Sequence, residues 1–434
     1  MPCPAAGTGQ NAEGAGWHEA PRGAGAREVI NRMSGVEGEE VLARLLAQGH
    51  RLDPARLPAA LEGYYSALGI NRLAIYLADV QQDVLLPFTC DGVDLPGLRI
   101  DASMAGWAYR TTSTRVADDP DGTITAWIPL IDGIERIGVL EIGTPALDAS
   151  TLRCCRSLAS LLALLLVSKS TWSDAYACGR RAKPMRLPAE MVWAFLPPRT
   201  IGSPQVTSTA VLEPAYDLGG DAFDHSLADG ALHTAIVDAM GHDLTAGLTS
   251  AVTIAACRNA RRGGADLPEI VATVDGQLHQ VFPQNYVTGI FARLELTTGT
   301  LRWANCGHPA PLLLRGNDLV PAALDRAAAL PLGLGPELAD AGWPVHEAQL
   351  RPGDRVLLYT DGVTDARSDT GERFGQERFT DFIIRAVAAG ETAPEVLRRL
   401  IRAILEHQHG RLTDDASIVM FEWHPTGSDP QFRA

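Results

Sequence analysis

Apolar positions recur at helical spacing first at Val41, Leu42, Leu45 and Leu46, then at Leu57, Leu61, Tyr64 and Tyr65, which predicts two helices. Short apolar runs at 73–77 and 84–88 predict strands, and the runs 124–131 and 137–142 flank Asp132-Gly133, a dipeptide that favours a hairpin turn. Asp148 is placed to cap an apolar helix that reaches about residue 168. Helices, an antiparallel sheet and a closing helix predict a small α+β unit over 35–170. Residues 1–34 alternate small and polar types without either period and are expected to form a disordered tail, and 426–434 is read as a C-terminal tail.

The pattern turns polar and basic at 171–190, where Arg180, Arg181, Lys183 and Arg186 gather near Gly179 and Pro184. This predicts a linker whose charges face solvent. A short helix over 189–196 follows Pro188 and stops at Pro197-Pro198, in the position of a coupler between units. Beyond it the runs shorten and alternate. Asp229-Gly230 marks a hairpin whose second strand, 232–237, ends in Asp238, and a helix is expected over 244–262. Strands are also expected at 356–359, ending in Thr360-Asp361-Gly362, and at 416–421, just after Asp414-Asp415.

Composition narrows the function classes. The 434 residues carry 37 basic and 52 acidic side chains, a net charge of −15, which opposes binding to nucleic acid or anionic lipid. The seven cysteines form no C-x-x-C pair, so neither a disulfide framework nor a thiolate zinc site is indicated, and a reducing cytoplasm fits. The longest apolar stretch, 158–167, is short of the roughly 20 residues that span a bilayer, so it is read as a buried helix and no membrane partner is expected.

Candidate chemistry lies in the acidic residues at strand ends. Paired glycines in Asp217-Leu218-Gly219-Gly220-Asp221 let the backbone turn sharply and aim Asp221 inward, and the hairpin would set it beside Asp238. Carboxylates gathered in one place repel, and burial raises their pKa, unless cations neutralise them. All-oxygen ligation selects hard ions such as Mg²⁺ or Mn²⁺, and a pair of them suits phosphoester hydrolysis by an activated water. Taken alone, Asp361-Gly362 would read as a turn and Asp414-Asp415 as a solvated loop.

Two resemblances follow from these residues. Ser103-Met104-Ala105-Gly106-Trp107-Ala108, Arg115-Val116-Ala117, Trp127-Ile128-Pro129-Leu130 and Ile137-Gly138-Val139-Leu140 resemble a GAF domain, with no ligand residue assigned. The order Gly-Gly-Asp, Asp-x-x-Gly-His, Asn305-Cys306-Gly307-His308-Pro309, Thr-Asp-Gly and Asp-Asp resembles the SpoIIE and RsbU branch of the metal-dependent type 2C (PPM) Ser/Thr protein phosphatases over 191–423. That resemblance implies an αββα sandwich of two packed antiparallel sheets over 191–425. It implies a metal pair, Mn²⁺ or Mg²⁺, held by Asp221, Asp238, the carbonyl of Ala239, Asp361 and Asp414. Asp415 is placed beside these as a supporting group, and the two neighbouring aspartates are exchangeable in role. His242 is read first as structural or helix-capping, with protonation of the departing serine oxygen as the alternative. His308 is read as a loop-satisfying group, Asp217 and Asp224 as structural neighbours, and Arg258, Arg261 and Arg262 as solvent-facing. Asp243, where the branch commonly has Gly, puts a negative charge at a helix start.

The implied activity is hydrolysis of phosphoserine or phosphothreonine on a regulatory protein, a STAS-type anti-sigma-factor antagonist in the resembling branch. A GAF effector would control it, and a homodimer is compatible with such coupling. Gly219-Gly220-Asp221-Ala222-Phe223 also resembles a diguanylate cyclase signature, although Ala222 replaces the usual Glu and further Asp motifs lie beyond it. A non-catalytic scaffold is the third reading.

Overall fold

Leu45, Leu57 and Leu61, three of the apolar positions that predict the first helices, are fully buried in a computed structural model of the chain. The structure describes residues 39–425, apart from 66–68, 90–94, 218, 242, 335–341, 411 and 413. Both expected tails and His242 therefore lie outside the described residues.

The N-terminal unit begins with α1 (39–49) and α2 (Leu57–Tyr65). Then come β1 (Arg72–Ala78), β2 (Val84–Pro87), β3 (Leu98–Arg99), α3 (Met104–Thr111), β4 (Arg115–Asp118), β5 (Ile124–Asp132), β6 (Glu135–Thr144) and α4 (Ala149–Ser170). The six strands form one antiparallel sheet in the order β3-β2-β1-β6-β5-β4. The β5–β6 hairpin is displaced by one residue from the expected turn: Asp132 pairs with Glu135, so the loop is Gly133-Ile134, with Gly133 at φ +60°. A two-residue loop favours glycine with positive φ at its first position, which explains the shift. Asp148 caps α4, its Oδ1 accepting from Thr151 N at 2.7 Å. At 22 residues α4 is longer than the apolar run and is long and apolar enough to cross a membrane. Its Cys155, Leu158, Leu162 and Leu166, at helical spacing, are buried on the sheet instead.

The connecting stretch departs from the expectation of solvated charge at Arg180, while Lys183 and Arg186 are exposed as expected. It contains α5 (Asp174–Gly179) and α6 (Leu187–Phe195). Arg180 is half-buried, donating from Nε to Ala78 O at 3.1 Å, and Lys183 lies over the Tyr216 ring. A spacing rule sees local charge only, whereas these partners come from the end of β1 and from the loop after β8.

The C-terminal unit runs β7 (Thr200–Ser203), β8 (Val206–Glu213), β9 (Asp221–Ala228), β10 (Ala231–Ala239), α7 (Leu244–Arg262), α8 (Leu267–Val281), β11 (Val287–Glu295) and β12 (Thr300–Cys306). It continues with β13 (Leu312–Arg315), β14 (Asp318–Leu319), β15 (Val345–Gln349), β16 (Arg355–Tyr359), α9 (Asp361–Thr364), α10 (Gln376–Ala388), α11 (Ala393–His407) and β17 (Ala416–Trp423). Two antiparallel sheets result, β15-β12-β11-β10-β9 and β14-β13-β16-β17-β8-β7. Alternation along the strands sorts the side chains. Phe223, Ile236, Ile290, Val356, Val419 and Phe421 fill the space between the sheets. Their neighbours Ala222 and Val237 face a second core with α7 and α8, while Leu357 and Ile418 face a third with α10 and α11. The architecture is α+β, with an αββα sandwich in the C-terminal unit.

Candidate metal centre

Asp229 and Gly230 both adopt positive φ, 50° and 72°, the two-residue turn whose twist matches the flanking strands. The register that this turn sets between β9 and β10 pairs Asp221 with Asp238 at the opposite end of the hairpin. Gly220 is required just before it, because a Cβ there would lie 2.2 Å from the Ala239 carbonyl oxygen and 2.7 Å from that of Gly241. The Ser250 hydroxyl donates to the Gly220 carbonyl from α7, and the Asp243 side chain caps that helix by accepting from Ala246 N at 3.0 Å.

The other sheet reaches the same end. Asp415 Oδ2 accepts from the backbone N–H groups of Gly219 at 2.9 Å, Gly220 at 2.7 Å and Asp221 at 3.3 Å, and so holds the glycine loop. Thr360, which caps α9, donates its hydroxyl to Asp221 Oδ2 at 2.8 Å and accepts from Ser417 N at 2.9 Å. Gly362 lies so close to Asp415 that a Cβ would stand 1.9 Å from its carbonyl oxygen. Asp361 therefore opens α9 beside the Asp414-Asp415 corner.

Asp221 is buried, Asp238 half-buried, and Asp361 and Asp414 exposed. Burial raises the Asp221 carboxyl well above the ordinary carboxylate range, and the charges of Asp238 and Asp415 raise it further. Asp238 is raised by burial, then by Asp361, Asp414 and Asp415. Asp361 is raised by burial, then by Asp414 and Asp365. Burial also raises Asp415, although the three amides that bind it oppose the shift. Each carboxylate is thus disfavoured by its neighbours, which is the field a divalent cation would relieve. Among the described residues no three His, Cys, Asp or Glu side chains close around one point, so the groups line a shared mouth rather than a finished cage. The donor set of carboxylates, with the Ala239 carbonyl beside Gly220, fits a hard cation.

Several other expectations meet the structure here. Arg258 and Arg261 are corrected from solvent-facing to ion-paired: Asp224, buried on β9, accepts from Arg258 Nε at 2.9 Å and Nη2 at 2.7 Å, and from Arg261 Nη1 at 2.7 Å. Helix-end spacing concealed this, because the partner lies on a strand beneath the helix. Arg262 is exposed. Asp217 pairs with Arg186 at the surface. Asn305 bonds both His308 N and His308 O, and His308 Nδ1 lies 3.0 Å from Thr288 Oγ1. Burial lowers the His308 pKa to about 4 against the opposing pull of the Tyr359 carbonyl, so the ring is neutral and part of the loop. Thr360 was missed by sequence reasoning; a threonine at the start of a short helix was the available signal.

Residues 228–424 match the family described as Stage II sporulation protein E (SpoIIE). The match covers Asp238, Asp361 and Asp414 and begins after Asp221. Protein IcfG of Synechocystis sp. is 26% identical over 135 residues, covering 31% of this chain and 20% of that protein. Phosphoserine phosphatase RsbU of Bacillus subtilis is 22% identical over 214 residues, covering 49% of this chain and 61% of RsbU. The chain thus spans less than two thirds of either relative. Among solved structures, the RsbU and RsbW domains of Rv1364c from Mycobacterium tuberculosis align with a TM-score of 0.43 at 22% identity, over 52% of this chain and 62% of that one. By the match across 228–424, the C-terminal unit of this chain is similar to the SpoIIE family.

Proposed function

We propose that the chain is a metal-dependent protein phosphatase that hydrolyses phosphoserine or phosphothreonine on a regulatory protein. The observation that carries this reading is the convergence of Asp221, Asp238, Asp361 and the Asp414-Asp415 corner from separate segments within a SpoIIE-type domain. Asp221, Asp238, the Ala239 carbonyl, Asp361 and Asp414 would hold Mn²⁺ or Mg²⁺, two ions in the fullest form. When bound, such ions activate water and neutralise charge on the phosphoryl oxygens. The chain's own part is positioning: Asp415 fixes the loop that presents Asp221, and Thr360 orients the Asp221 carboxylate by its hydrogen bond. Residues 221–223 open the first strand of the β9–β10 hairpin, and the SpoIIE match over 228–424 favours the phosphatase reading over the cyclase one.

The proposed substrate is a phosphorylated STAS-type antagonist, a choice supported by likeness to RsbU, a phosphoserine phosphatase. A cytoplasmic location belongs to the same reading. The N-terminal unit at 35–170 is proposed to be GAF-like and to control the site, with α6 as one coupler, since Trp193 Nε1 donates to Ala215 O at 2.8 Å. Full-length chain with Mn²⁺ should cleave a phosphopeptide and a chromogenic phosphoester, and Asp238→Ala and Asp361→Ala should abolish both activities. Inactivity of the wild type on both substrates, with Mn²⁺ binding unchanged in Asp238→Ala, would refute the assignment.

A further inference from the structure

The β1–β2 turn is built around one buried carboxylate. Asp79 Oδ1 accepts from Asp83 N at 2.7 Å and Val84 N at 2.9 Å, and its Oδ2 accepts from Gln81 N at 3.1 Å. Gln82 takes a positive φ of 56° at its centre. Such a turn is preorganised by its own side chain, and it points outward from the N-terminal sheet toward the C-terminal unit.

Two contacts from this turn reach the segment that leads to the candidate metal site. Gln81 Nε2 donates to Glu213 Oε2 at 2.9 Å, and the same oxygen accepts from Ala215 N at 2.8 Å. Tyr216 donates its hydroxyl to Asp79 Oδ2 at 3.4 Å. Glu213 ends β8 and is 3% exposed. Burial pushes its carboxyl up to about 7 even though Arg199 faces it. An apolar residue would fill such a place at lower cost. The chain then runs through Ala215 and Tyr216 to Gly219 and Gly220, whose amides end on Asp415, and to Asp221 itself. The 213–221 segment is therefore tied at its far end to the metal-domain sheet and at its near end to the other unit.

The turn is anchored on its opposite side as well. Gln82 Oε1 accepts from Tyr109 Oη at 2.9 Å and Arg136 Nη2 at 3.3 Å. Arg136 also pairs with Glu395 of α11 at 3.0 Å, and Arg398, fully buried on that helix, pairs with Glu395 and with Asp101. Displacement of the turn is thereby resisted from both units.

We propose that the Asp79–Asp83 turn is a positioning element for the metal site: Gln81, through Glu213, and Asp79, through Tyr216, set the path of the 213–221 segment and hence the placement of Asp221. This rests on the reading of Asp221 as a metal ligand. It adds to the α6 route a second connection that bypasses that helix and makes the N-terminal unit part of the site's geometry.

The test uses the full chain, with Mn²⁺ itself as the probe and free Mn²⁺ followed by electron paramagnetic resonance. Gln81→Glu sets two carboxylates against each other and should weaken Mn²⁺ binding by about tenfold or more. Combining it with Glu213→Gln restores a donor and an acceptor and should recover most of that loss, a coupling expected only of groups that act as a pair. Gln81→Leu, which removes the donor without adding charge, should give an intermediate loss and serves if Gln81→Glu does not fold. Wild-type binding with unchanged affinity in the folded variants, or a loss that the exchange does not recover, would overturn the inference alone. Absence of Mn²⁺ binding by the wild type would overturn the metal reading and this inference with it.

Discussion

Asp238 stands directly across the β9–β10 ladder from Asp221, and burial together with their shared neighbours makes simultaneous ionisation of the two unfavourable. The hairpin therefore keeps a repulsive pair at its open end, where a cation would convert repulsion into binding. Replacing Asp238 with Asn should raise the stability of the metal-free chain by about 1–2 kcal/mol and remove its response to Mn²⁺. Thermal unfolding with and without Mn²⁺ checks both: the wild type should gain stability with the ion, and the variant should gain none. An unchanged response in Asp238→Asn would rule out this residue as a ligand.

The glycine loop is the second point of attack. Gly220→Ala would place a Cβ against two carbonyl oxygens of the backbone, groups that cannot rotate away as a side-chain end can. A destabilisation of about 1–3 kcal/mol is expected from overpacking, with Mn²⁺ affinity falling because Asp221 is displaced. Denaturant unfolding and Mn²⁺ titration of the same preparation measure the two effects. Unaltered affinity would show that the loop does not set the position of Asp221.

Much of the frame was legible because its signals are local. Asp229-Gly230 announced a turn that then dictated the Asp221–Asp238 register, and Asp243 with Gly263 bracketed α7 at the expected ends. The site's supports were less legible. Thr360 reaches Asp221, Asp415 reaches Gly220, and Gln81 reaches Glu213 across separations of 139, 195 and 132 residues. No period or cap in one sequence encodes such pairings, which arise only when two sheets stack and a second unit docks. The same limit concealed Asp224 beneath Arg258 and Arg261, and the three glycine-loop amides that bind Asp415.

Asp224 offers a contrast between structure and ligation. It lies on the same strand as Asp221 but is occupied by two guanidinium groups. Asp224→Ala would leave Arg258 and Arg261 without their anion, with an expected destabilisation of about 3–5 kcal/mol. Mn²⁺ affinity of the folded fraction should stay near that of the wild type. Urea unfolding monitored beside Mn²⁺ titration separates the roles, and a selective loss of metal binding with intact stability would reverse the assignment.

Acid sensitivity should come in part from His225 on β9. Its Nε2 lies 2.7 Å from the Pro198 carbonyl oxygen and its Nδ1 lies 2.9 Å from Ser208 Oγ, so the neutral ring donates on one side and accepts on the other. Burial lowers its pKa to about 4, although the Pro198 carbonyl and Asp224 favour the proton. Because the folded value lies below the unfolded value of about 6.5, the contribution is complete above pH 6.5 and is lost as pH falls toward 4. The loss by pH 4.5 should be about 2–3 kcal/mol for this group. His225→Gln cannot take up the proton, so its stability deficit against the wild type at pH 7 should narrow by that amount at pH 4.5. Urea midpoints of both chains at the two pH values measure the difference, and a deficit that stays constant would mean that His225 takes up its proton at the same pH in the folded and unfolded chains.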